Sequence, residues 1–250
     1  EKSNISYKEN NKNIESKINS EIDRSNLSDE KSNKSENKIE REFTGNFDCL
    51  KKIYLKDEYE ILKDSDAYIE IYAYGQCLEY PEDYKRYPML VVAGGGYDFV
   101  SDREKLPSAF AFLAHGFNCV SLNYSCKTAY PIPHIEVACA MDYIHNHADK
   151  YGFRVDKKCM VGYSAGGHLV ASYSTVYKEI AELAHLNPDH IKPYFQILSY
   201  PVISLGEYSH EGTRINISNN DSAIIDKLSI EKHITSDYTP TYIWTTNDDT

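Results

Sequence analysis

Apolar and polar positions fall along this chain in distinct regimes. Up to about residue 42, isolated isoleucines stand in a background of Asn, Lys, Ser and Glu with no sustained period. Such a segment buries too little apolar surface to offset its chain entropy, so a disordered polar tail over 1–42 is expected. An amphipathic helix through Ile14, Ile18 and Ile22 is the alternative, because those positions recur every four residues, although the stripe is one residue wide. From Phe43 the pattern becomes that of a packed domain, 43–250. Alternating runs predict strands over 52–55 and 67–74, and a continuous apolar run predicts a buried strand over 89–93 that ends in three glycines. Beyond it the period switches between strand and helix: helix over 106–114, strand over 118–124, helix over 135–151, strand over 158–161, helix over 166–177, and strands over 194–200 and 241–246. Strands alternating with helices need crossover connections. The expected fold class is therefore α/β, a mainly parallel sheet with helices on both faces and the functional end at the carboxyl ends of the strands.

Composition narrows the partners. The net charge of −11 repels phosphate backbones, and no Lys/Arg cluster interleaved with aromatics stands out from it, so nucleic acid is not an expected partner. No apolar run approaches the roughly 20 residues of a membrane span. The six cysteines, Cys49, Cys77, Cys119, Cys126, Cys139 and Cys159, form no Cys-x-x-Cys pair; they read as free thiols rather than a zinc or redox site. A reducing, cytoplasmic setting is favoured over secretion, though the chain begins at Glu1 rather than Met, which leaves room for an upstream signal.

The chemistry concentrates around Ser164. It sits in Gly162-Tyr163-Ser164-Ala165-Gly166-Gly167, after a predicted strand and before a predicted helix, which is the G-x-S-x-G nucleophile elbow. A sharp strand-to-helix turn lifts the hydroxyl, and glycines on both sides let strand and helix approach. The following helix aims its first amides at the reacting centre. About 70 residues earlier, Gly94, Gly95 and Gly96 end a strand and offer amides to an oxyanion. A plain glycine turn is the bland alternative. A dinucleotide loop fails, because Phe99 stands where that motif needs glycine. An acid is expected after a later strand, where Asp248 and Asp249 follow 241–246; one of the two would orient an imidazole. The nine histidines are poor bases by position. His168 lies a turn past Ser164 and is expected to pack or bond locally, His145 and His147 face different ways on one helix, and His115 precedes Gly116 at a helix end. His185, His190, His210 and His233 fall in loop-like segments. The chain order Ser, Asp, His puts the base beyond Thr250, so a domain whose last strand and helix lie further on is the expectation.

VVAGGGY (91–97), VGYSAGGHL (161–169), YPVI (200–203) and TPTYIWTT (239–246) with its two aspartates resemble α/β-hydrolase esterases, particularly the acetyl esterase and acetylxylan esterase-like group related to the hormone-sensitive lipase branch. The resemblance covers roughly 88–250. It implies Ser164 as nucleophile, the amides of Gly95, Gly96 and Ala165 as oxyanion hole, and Asp249 as acid with Asp248 the alternative. It further implies two-step acyl transfer without metal or organic cofactor, on short-chain and especially acetyl esters, with acetylated sugars as substrates. A serine peptidase or lipase on the same fold, or a non-catalytic hydrolase-like binding protein, are the rival readings. Many esterases of this branch have His before the glycine triplet; Ala93 stands there instead, which removes a side chain that braces the loop and leaves the amides. The polar segment 204–237 lies where such folds carry a lid or substrate wall.

Overall fold

The computed structural model describes residues 48–74, 80–81 and 83–247. The 1–42 tail with its alternative helix, and both candidate acids, lie outside the described residues. Seven strands among the described residues form one sheet: β1 (Asp48–Tyr54), β2 (Tyr68–Ala73), β3 (Pro88–Val92), β4 (Asn118–Asn123), β5 (Cys159–Tyr163), β6 (Phe195–Ser199) and β7 (Thr241–Trp244), in the order β1-β2-β4-β3-β5-β6-β7. From β4 to β7 every pairing is parallel, while β1 and β2 add an antiparallel edge. The expected α/β class holds.

The continuous apolar runs reflect burial on both faces. Side chains alternate across a strand, and Leu90, Val92, Val120, Leu122 and Met160 join one core while Met89, Val91, Cys119, Cys159 and Val161 join the other. The first core is covered by α2 (Ile132–Asn146) and α4 (Ser164–Ala184); the second takes Ala109 and Leu113 from α1 (Asp102–Ala114). Cys119, Cys126, Cys139 and Cys159 are free, and burial pushes the Cys119 thiol up to about 12. No helix among the described residues is long and apolar enough to cross a membrane.

The helix limits differ from the sequence expectation. α1 starts four residues before 106, at Asp102, where Asp102 and Glu104 place negative charge in the first turn. The helix over 135–151 is two helices, α2 and α3 (Ala148–Tyr151), because His147 leaves the helical region and its Nδ1 lies 3.0 Å from the Tyr143 carbonyl. α4 runs on past 177 to Ala184, as Ile180, Ala181 and Ala184 extend its buried stripe. Three short helices were not expected: α5 (Pro188–Ile191), α6 (Glu211–Ser218) and α7 (Ser222–Leu228). The last two lie in the 204–237 segment and are capped by His210 and Asp221, whose side chains accept first-turn amides.

Candidate active site

At the end of β5 the chain turns into α4 through Ser164, whose φ of +49° is a conformation that costs a non-glycine residue about 1–3 kcal/mol. The surrounding glycines answer a demand for space. A Cβ on Gly162 would lie 2.5 Å from the Gly166 carbonyl oxygen, and one on Gly166 would lie 2.3 Å from the carbonyl oxygens of both Val92 and Ala93. Helix α4 thus sits directly on the backbone of β3 and β5. No side-chain cap meets its first turn, so the Ala165 amide is an uncapped helix donor.

The carbonyls of the loop after β3 are each held. Tyr124 Oη donates to the Ala93 carbonyl at 2.9 Å, and the Gly94 amide donates to Glu104 Oε2 at 2.6 Å. Ser101 N donates to the Gly94 carbonyl, Asp98 N to that of Gly95, and Asn216 Nδ2 to that of Gly96. Gly95 and Gly96 take φ of +126° and +65°, and a Cβ on Gly95 would lie 2.1 Å from the Phe99 carbonyl oxygen. The amides of Gly95 and Gly96 meet no acceptor among the described residues. This loop touches the elbow: a Cβ on Gly94 would lie 2.8 Å from Ser164 Cβ. Tyr124 and Glu104 brace this loop beside Ala93.

The histidines are accounted for away from Ser164. His168 is buried; its Nδ1 lies 2.8 Å from Tyr97 Oη and its Nε2 3.0 Å from the Leu228 carbonyl. A carbonyl only accepts, so Nε2 carries the proton and Nδ1 accepts from the phenol. Burial pulls His168 down to about 4, and burial together with His168 pulls His134 down to about 3. His210 lies over the glycine loop, 3.4 Å from the place a Gly96 Cβ would take, yet its Nδ1 accepts from the Thr213 amide. His145 stacks on His190 and His147 on Tyr143. His115 and His185 end helices α1 and α4, and His233 Nε2 donates to the Asp226 carbonyl. Among the described residues, Ser164 Oγ bonds to no imidazole.

The buried histidines set an acid limit. Their folded pKa values lie below the unfolded value of about 6.5, so the unfolded chain takes up protons first as pH falls. Stability is at its full value above about pH 6.5 and declines through pH 4 by on the order of 1–3 kcal/mol per histidine. Urea midpoints measured from pH 7.5 to 4 show this slope, and His168→Gln flattens it; an equal slope in that variant refutes the assignment.

Three side chains at the site were not found from sequence: Glu104, Tyr200 and Asn216. Glu104 falls before the helix expected over 106–114 and carried no reading, Tyr200 stood only as the start of a family stretch, and Asn216 only as part of the polar 204–237 segment. Tyr200 follows β6 with φ of +37°, donates its amide to the Trp244 carbonyl at 2.7 Å, and packs against Trp244 and Tyr163. Burial and the Glu104 carboxylate raise its phenol to about 12. The 204–237 segment reaches the site through Asn216 on Gly96 and Leu228 on His168.

Comparisons with known proteins agree with this architecture. The chain is 30% identical over 179 residues to the endo-1,4-beta-xylanase B of Butyrivibrio fibrisolvens, covering 67% of this chain and 28% of that protein. It is 29% identical over 177 residues to an acetylxylan esterase of Xylanibacter ruminicola, covering 68% and 35%. The chain therefore spans about a third of the length of the curated relatives it matches. Among solved structures, a carboxylesterase from Lactobacillus plantarum WCFS1 is 27% identical with a TM-score of 0.63, covering 71% of this chain and 66% of that one. The BD-FAE profile matches residues 78–250, a span that takes in β3 through β7, Ser164 and the glycine loop. By that match, and by a fold shared with carboxylesterases, the chain belongs to the BD-FAE family of α/β-hydrolase-like proteins.

Proposed function

We propose that the protein is a serine carboxylesterase that removes short acyl groups, chiefly acetyl, from esters carried on carbohydrate. The observation that carries this reading is the pairing of a serine held at φ +49° with two amides of the adjoining loop that have no acceptor among the described residues. Ser164 Oγ attacks the ester carbonyl, and the oxygen that becomes negative is received by the amides of Gly95, Gly96 and Ala165. The alkoxide leaves with a proton, an acyl-serine remains, and water attacks it in turn to free the acid. An imidazole must carry those protons, oriented by Asp249 or, alternatively, Asp248; none of the nine histidines here meets Ser164. Carbohydrate as the alcohol is supported by the likeness to relatives, one of which is an acetylxylan esterase.

The test is a substrate series with the full-length protein: p-nitrophenyl esters from acetate to octanoate, acetylated xylo-oligosaccharides, and anilide analogues. Acetyl esters are expected to turn over at least about tenfold faster than octanoate, because a site selective for acetyl discriminates against one added methylene by about 1–3 kcal/mol. Faster octanoate cleavage points to a lipase, and anilide cleavage to a peptidase. No turnover of any ester, with a folded protein, leaves a hydrolase-like binding protein.

A further inference from the structure

Glu104 stands in the first turn of α1 with its carboxylate aimed at two loops. Its Oε2 accepts the Gly94 amide at 2.6 Å and its Oε1 accepts the Tyr200 phenol at 3.1 Å. Gly94 follows β3 and Tyr200 follows β6, and β5, which delivers Ser164, runs between those strands. The place a Gly94 Cβ would take lies 2.8 Å from Ser164 Cβ and 2.9 Å from Glu104 Oε2, so nucleophile and carboxylate flank the same glycine. One side chain therefore ties together the loops on either side of the elbow. A negative charge this near a developing oxyanion opposes the charge that the reaction builds, so what favours a glutamate here is its reach and its acceptor strength.

We propose that Glu104 is a positioning residue for the esterase reaction, fixing the glycine loop in register with Ser164 through the Gly94 amide and using Tyr200 as its second tether. This rests on the reading of Ser164 as nucleophile and of the Gly95 and Gly96 amides as oxyanion donors. Glutamine preserves the geometry: its amide oxygen accepts from Gly94 and its NH2 donates to the Tyr200 oxygen. Aspartate keeps the charge but is one methylene too short to reach both partners.

The experiment compares Glu104→Gln and Glu104→Asp in the full-length protein on p-nitrophenyl acetate, with active sites counted by a fluorophosphonate that phosphonylates the catalytic serine irreversibly with loss of fluoride. Glu104→Gln is expected to keep kcat within about fivefold, whereas Glu104→Asp lowers kcat by about 100-fold with KM changed less than about threefold, because the loss falls on the transition state. A merely structural role would lower the number of titrated sites and leave kcat per site unchanged. If Glu104→Asp does not fold, Tyr200→Phe carries the test: a five- to tenfold fall in kcat, on the order of one lost hydrogen bond, supports the tether, and an unchanged kcat overturns it. An impaired Glu104→Gln beside an active Glu104→Asp overturns the proposal, as does equal kcat in all forms. Phosphonate found by mass spectrometry on a residue other than Ser164 removes the underlying reading instead; phosphonate on Ser164 with unaltered variants removes only the role of Glu104.

Discussion

Ser164→Ala is expected to lower kcat for aryl acetates by roughly a million-fold while leaving the melting temperature within a few degrees. The magnitude follows from the proposed role of the hydroxyl: without it no acyl-enzyme forms, and what remains comes from binding and the proposed oxyanion donors alone. The fold is spared because the backbone at Ser164, not its hydroxyl, organises the turn. Its φ of +49° is as accessible to alanine as to serine, its carbonyl still receives the Val202 amide at 3.2 Å, and its Oγ bonds to no imidazole among the described residues. Rate assays and a thermal melt of the full-length protein decide the matter. Activity above about a thousandth of wild type moves the nucleophile elsewhere; loss of activity together with loss of the cooperative melt would mean that the serine was structural.

Gly166→Ala tests the same turn from the side of packing, and here the expected outcome is failure to fold. The added methyl would lie 2.3 Å from the carbonyl oxygens of Val92 and Ala93, which are fixed in the central strand β3 and in the loop held by Tyr124 and Glu104. Neither oxygen can step aside without breaking the sheet, so α4 must lift away from it and give up the contacts of Leu169, Val170 and Tyr173. Overpacking of a rigid core costs about 1–3 kcal/mol, and displacing a buried helix adds more, which approaches the whole 5–15 kcal/mol stability of a domain. Gly116→Ala is the control, since nothing lies within 4 Å of the position a Cβ would take there and only its φ of +91° resists substitution, at about 1–2 kcal/mol. Denaturant midpoints should separate the two widely. Equal midpoints would mean that the elbow is far softer than the close approach of α4 to β3 implies.

Much of this is legible in the sequence. The runs at 89–93, 118–124 and 158–161 are buried on both faces of a parallel sheet, and their alternate residues divide between the two cores as the pleat requires. Ser164 and the glycine triplet stand at the ends of adjacent strands, as a motif placed after each strand suggested. The helix limits were less legible. Pro107 sits inside α1, whose polar first turn lies before the apolar pattern at 106, and the polar residues after Tyr177 hide the continuing stripe of α4.

What sequence pattern settles here is local: the period of each element, the glycines around a turn, the charge that repels polyanions. These depend on neighbours within a few positions, so one dimension suffices to read them. What only the tertiary structure decides is which distant groups hold the turn in working order. Glu104 reaches Gly94 and Tyr200, Tyr124 reaches Ala93, and Asn216 reaches Gly96 across 120 positions of chain. Such bonds leave no period and no composition signal. They arise because the parallel sheet brings the ends of β3, β5 and β6 side by side, and each buried or strained backbone group there takes the polar partner that the packing presents to it.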